Sequence, residues 1–130
     1  PAGSLRGSET ILLVEDEEEV RETVNEILSM YGYTILRAAD GREAAEVSEQ
    51  YDGPIDLVLT DVVMPGMNGR ELADRIAASR PEAAVLYMSG YTDTAIARRG
   101  ILEAGTVFIQ KPFTPDALAR KIRDVLGGAA

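Results

Sequence analysis

Five short apolar runs, each followed by a stretch with helical spacing, leave this chain few folds to adopt. The runs are Ile11–Val14, Thr34–Arg37, Asp56–Thr60, Ala84–Met88 and Thr106–Ile109. The first is apolar at every position, as a strand covered on both faces must be. After it, Val20, Val24, Ile27, Leu28 and Tyr31 fall on one helical face, and Gly32 stands where a helix should end. Asp40 is placed to cap a second helix, with Glu43 reaching back in capping-box spacing and Ala44, Val47 and Tyr51 turned inward. Pro65-Gly66-Met67-Asn68-Gly69 is a loop by composition, and Asn68 can cap a third helix carrying Leu72 and Ile76 that stops near Pro81. Thr92 heads a fourth helix with a poorly defined apolar face and an internal Gly100. Thr114-Pro115 gives a cap and an N1 proline to a last helix whose Leu118, Ile122, Val125 and Leu126 share one face. Strands apolar on both faces that alternate with helices predict an α/β protein with an open, doubly wound, five-stranded parallel sheet.

The length of 130 residues fits one domain. Pro1–Ser8, rich in small and polar residues, reads as a linker or cloning remnant, residues 9–127 as the domain, and residues 128–130 as an unstructured tail of a piece cut from something longer. The chain has no cysteine and no histidine. That excludes disulfides and thiolate metal sites, and leaves any bound metal to oxygen ligands. A net charge of −9 repels phosphate backbones, so direct nucleic-acid binding is not expected. No apolar run approaches the roughly 18 residues of a membrane span, and no signal peptide is visible. A soluble cytoplasmic domain without membrane contact is the expectation.

In a doubly wound sheet, ligands sit at the carboxyl ends of the strands. Here those ends are Glu15-Asp16, Thr60-Asp61, Ser89-Gly90 and Gln110-Lys111-Pro112. Each has a bland reading alone. Asp61 could be a turn residue, Ser89-Gly90 an ordinary turn, Lys111 a solvated charge, and Glu17, Glu18 and Glu19 an acidic first turn favoured by the helix dipole. Converging on one sheet edge, however, three carboxylates repel one another unless a divalent cation lies among them. With the Ser89 hydroxyl and the Lys111 ammonium they make a phosphoryl-transfer constellation. Asp61 is its carboxylate nucleophile, and the metal and Lys111 neutralise the transferring group.

Four blocks then carry a resemblance. Ile11-Leu12-Leu13-Val14-Glu15-Asp16-Glu17, Asp56 through Gly69, Met88-Ser89-Gly90-Tyr91 and Lys111-Pro112-Phe113 occur in order at the appropriate strand ends. Over Thr10 to Leu126 the chain resembles the receiver domain of bacterial response regulators. The resemblance implies a flavodoxin-like (βα)5 sheet with strand order 2-1-3-4-5. It implies that Asp61 is the phosphoacceptor, and that Mg²⁺ (or Mn²⁺) is bound by Asp16, Asp61, the Val63 carbonyl, and Glu15 directly or through water. It implies that Ser89, Gly90 and Lys111 contact the phosphoryl group, that Ser89 and Phe108 form the switch, and that Pro112 is cis. Glu15 stands where Asp is also common, and Phe108 where Tyr is frequent, so no phenol hydroxyl can signal there.

The expected partner is a histidine kinase or a histidine phosphotransfer domain, and a homodimer could form through the fourth helix, fifth strand and last helix. The Met88–Thr92 loop looks like those of receivers fused to hybrid sensor kinases. Rival readings fare worse on particular residues. A haloacid-dehalogenase-type phosphatase needs a second aspartate where Val63 stands. A flavin binder needs a phosphate cradle where Glu15–Glu19 would repel phosphate. A pseudo-receiver acting only as a docking module is the alternative, but it would have lost Asp61, Asp16 or Lys111.

Overall fold

The computed structural model describes residues 5–90 and 107–128. Its elements are β1 (Thr10–Val14), α1 (Glu18–Met30), β2 (Thr34–Ala38), α2 (Gly41–Gln50), β3 (Leu57–Asp61), α3 (Gly69–Ser79), β4 (Ala84–Ser89), β5 (Phe108–Gln110) and α4 (Pro115–Arg123), followed by a π-helical turn, Asp124–Gly128. The helix expected to start at Thr92 and carry Gly100, and the expected strand residue Thr106, lie outside the described residues. The five strands are parallel in the order β2-β1-β3-β4-β5, as expected.

Alternation along the strands divides the core in two. Ile11, Leu13, Leu57, Leu59, Leu86 and Met88 pack on one face with Val24 and Leu28 of α1 and Leu118 and Ile122 of α4. Leu12, Val14 and Val58 pack on the other with Ala44 of α2 and Leu72 and Ile76 of α3. Period-two side chains on a sheet covered on both sides require this split.

The helix ends show why the elements stop where they do. Gly32 adopts φ 103°. Gly32 N–H donates to Ser29 O at 3.0 Å and Tyr33 N–H to Leu28 O at 3.2 Å, which is a Schellman closure of α1. Asn68 accepts from Glu71 N–H at 2.9 Å while Glu71 accepts from Asn68 N–H at 3.0 Å, a complete capping box. Asp40 caps α2 through Glu43 N–H at 2.8 Å, but the Glu43 carboxylate reaches back one residue further than expected, to Ala39 N–H.

All five strands differ from the sequence reading at one end or both; β1 begins one residue earlier, at Thr10, and β2 runs one residue further, to Ala38. The third strand begins at Leu57 and includes Asp61. Asp56 instead clamps the start of β1: its N–H donates to Thr10 O and its carboxylate accepts from Thr10 N–H, both at 2.9 Å. Phe108 is the first residue of β5 rather than near its end, because Val107 stands outside the strand although its carbonyl accepts from Tyr87 N–H. β4 runs one residue further than expected, to Ser89.

Candidate functional site

β1 delivers Glu15 and Asp16 just past its carboxyl end, β3 delivers Asp61 as its own last residue, and the turn after β5 delivers Lys111. One carboxylate oxygen from each of Glu15, Asp16 and Asp61 lies within 4.8 Å of the others. Glu15 is 0% exposed and Asp61 3%, whereas Asp16 is exposed. The convergence read from the strand ends is therefore present in the fold.

Glu15 is held through every polar group it has. Its N–H donates to Ala38 O at 3.1 Å, and its carbonyl accepts from the Arg21 guanidinium at 2.8 Å. Its carboxylate accepts from Glu17 N–H at 3.0 Å and from the Lys111 ammonium at 2.7 Å. The same ammonium stands 2.8 Å from Asp61 Oδ1. The two form an ion pair, although Asp61 Oδ1 is buried and accepts no hydrogen bond of regular geometry. Lys111 thus offsets the charge of Asp61 by proximity.

The electrostatics follow from this crowding. Burial, then the Glu15 carboxylate beside it, push the Asp61 carboxyl up to about 8, against the pull of Lys111. Burial would also raise Glu15, but hydrogen bonds from the Asp61 acid, Lys111 and Glu17 N–H outweigh it and hold Glu15 below the ordinary glutamate value. Burial opposes the charge on Lys111, and the Asp61 and Glu15 carboxylates more than offset it, so its pKa lies above the ordinary lysine value. Of the two buried acids, Asp61 is the one whose ionisation the site opposes. A buried oxygen without a donor, within reach of two further carboxylates, suits a hard divalent cation, whose preferred ligands are oxygens.

The other expected residues are placed as follows. Val63 is in the turn two residues beyond Asp61 and is 39% exposed. Ser89 is buried at the end of β4, its hydroxyl donating to Gly90 O at 3.3 Å and its carbonyl accepting from Lys111 N–H at 2.8 Å. The Lys111–Pro112 bond is cis. Phe108 is 37% exposed and pairs in register with Tyr87 of β4. Beside Lys111, an open cleft of about 360 Å³ runs along α1, lined by Val20, Val24, Ile27 and Phe113 among others.

Two residues at the site escaped the sequence reading. Gly69 opens α3, where a Cβ would overlap the Asp61 carbonyl oxygen. The sequence reading placed it in the Pro65–Gly69 loop and within the block that carries the resemblance, without a role of its own. Arg21 touches Glu15 through a backbone carbonyl, a contact that residue type and spacing do not reveal.

The family model described as the response regulator receiver domain matches residues 11–123. The chain is 40% identical over 125 residues to the sensor kinase CckA of Brucella abortus, covering 96% of this chain and 13% of that protein. Among solved structures, the receiver domain from the hybrid histidine kinase CckA is 34% identical with a TM-score of 0.75, over 90% of this chain and 98% of that one. The chemotaxis protein CheY4 of Vibrio cholerae is 28% identical with a TM-score of 0.79, over 92% of this chain and all (100%) of that one.

Proposed function

Because the chain belongs to the response regulator receiver domain family of two-component signalling, we propose that Asp61 accepts a phosphoryl group from the phosphohistidine of a partner kinase or histidine phosphotransfer domain, and that this switches the domain's conformation. The observation that carries this reading is the buried Asp61 carboxylate, with one oxygen lacking a donor and an ammonium 2.8 Å away. A carboxylate oxygen of Asp61 bonds to phosphorus as the phosphorus–nitrogen bond to the donor imidazole breaks, and that bonding pair stays on the nitrogen. Lys111 balances charge on the phosphoryl oxygens and on Asp61. The Ser89 hydroxyl turns from Gly90 O to the phosphoryl group, with the Gly90 backbone beside it.

Asp16, Asp61 and the Val63 carbonyl would hold Mg²⁺ or Mn²⁺, with Glu15 supporting from behind because both its oxygens already accept protein hydrogen bonds. When bound, the cation supplies the positive charge that lets three carboxylates and a phosphoryl group share one site. The apolar cleft along α1 offers the donor a surface adjoining Lys111. Phe108 rests outward and turns inward as Ser89 moves, so the readout is burial and shape. Similarity to a sensor kinase supports a hybrid kinase as the parent protein, with residues 9–127 as its receiver.

Incubation with acetyl phosphate and Mg²⁺, followed by intact-mass measurement, tests the reading. The wild type gains one phosphoryl group, and Asp61→Asn or removal of the metal abolishes the gain. Full labelling of Asp61→Asn would refute the assignment.

A further inference from the structure

We infer that Arg21 is a positioning residue for the metal site: by holding the Glu15 carbonyl it fixes the peptide unit from which the Asp16 carboxylate projects. Among the described residues, no hydrogen bond or ion pair holds the Asp16 side chain, and it is exposed. Its placement therefore depends on its backbone. The peptide group joining Glu15 to Asp16 is planar, so an anchor on the Glu15 oxygen also fixes the Asp16 Cα from which the side chain leaves. The Arg21 guanidinium is that anchor, at 2.8 Å in a half-buried position. On the upstream side, Glu15 N–H is tied to Ala38 O at the end of β2. On the downstream side, Glu17 N–H is tied to the Glu15 carboxylate. With Arg21 in place the whole acidic turn is held between β2 and the first turn of α1. Without it, the peptide group before Asp16 loses its one side-chain donor.

The inference rests on the proposed metal-dependent site, and it has a competitor of opposite sign. Arg21 is a cation on the backbone of the acidic turn, so if it acted only through charge, removing it would tighten binding of a dication. If it acts by positioning, removing it weakens binding despite the more negative site. Outer partners that orient ligands typically change metal affinity by about 10–100-fold.

The test compares wild type, Arg21→Met and Arg21→Lys by calorimetric titration with Mg²⁺, with melting temperatures of the metal-free proteins measured alongside. Arg21→Met keeps most of the aliphatic stem and removes donor and charge, and Arg21→Lys keeps the charge and an N–H donor group on a differently shaped head. Positioning predicts about a tenfold weaker Kd for Arg21→Met and partial recovery in Arg21→Lys. Binding by Arg21→Met as tight as wild type, or tighter, overturns it. Should Arg21→Met fail to fold, Arg21→Lys decides alone: a Kd equal to wild type overturns the inference, and a weaker one at unchanged melting temperature supports it. The titration needs no phosphoryl donor. A wild type that binds Mg²⁺ but is not labelled by acetyl phosphate would therefore sink the phosphoacceptor reading and leave the role of Arg21 intact.

Discussion

Asp61 carries the largest electrostatic tension in the described structure, and two predictions follow at that residue. In the metal-free protein its folded pKa of about 8 lies above the ordinary value of 3.8. A raised folded pKa means that its contribution to stability is fully present below about pH 4 and is lost as pH rises toward about 8. Metal binding requires the carboxylate, so Mg²⁺ displaces the proton. Mg²⁺ affinity should therefore rise with pH and level off above about 8. Calorimetry in buffers of different ionisation enthalpy should detect proton release below that point and none above it. Asp61→Asn removes a carboxyl whose ionisation burial and Glu15 both oppose, and should stabilise the metal-free fold by about 1–2 kcal/mol at neutral pH, read by urea denaturation. A destabilised variant would mean that Lys111 already outweighs the repulsion. Gly69 is the residue-scale counterpart in the backbone. Gly69→Ala must displace either the Asp61 carbonyl or the start of α3, at a cost of about 1–3 kcal/mol, with weaker Mg²⁺ binding because the Asp61 backbone moves.

Arg80 shows how one side chain joins two elements. Standing just past α3, its guanidinium donates to Ser48 Oγ at 3.0 Å, Ser48 O at 2.8 Å, Tyr51 O at 2.7 Å and Gly53 O at 2.8 Å. The Ser48 and Tyr51 carbonyls belong to the unsatisfied end of α2, where positive charge is also favoured by the helix dipole. Arg80→Ala should cost about 2–3 kcal/mol, and Arg80→Lys should recover only part, since an ammonium cannot span four acceptors spread in this fork. Chemical denaturation of the two variants checks both statements, and an Arg80→Ala within about 0.5 kcal/mol of wild type would show the fork to be dispensable.

The elements also show what a sequence makes legible. Leu12 and Val14 against Ile11 and Leu13 announce a sheet buried on both faces, and with right-handed crossovers that pattern leads to the observed sheet, whose carboxyl edge holds Asp16, Asp61 and Lys111. Asp56 was misread because a residue adjoining an apolar run looks like its first member, and only the fold reveals its clamp on Thr10. Arg80, Arg21 and Gly69 were invisible in their roles for a shared reason: each acts on backbone oxygens, which every residue possesses and no sequence pattern marks.

At the scale of the molecule, the Lys111 ammonium joins the ends of the chain's first and last strands through Glu15, 96 residues away. Glu15 is fully buried, and its partner is about a quarter exposed. Lys111→Ala leaves a buried carboxylate pair without its cation and should cost about 2–3 kcal/mol in metal-free protein. Mg²⁺ should restore much of that loss, since a dication meets the same need. The melting temperature of Lys111→Ala should therefore depend on Mg²⁺ more steeply than that of the wild type, and equal dependence would argue that the ammonium and the metal do not share these carboxylates.

That long-range pair also sets an order in time. During synthesis Glu15, Asp16 and Asp61 emerge well before Lys111, so a nascent chain that has completed β4 holds three acids and lacks the amine that balances two of them. Until Lys111 has left the ribosome, closing the first four strands means bringing like charges together. A dication held by these acids would then supply the counter-charge that Lys111 later provides.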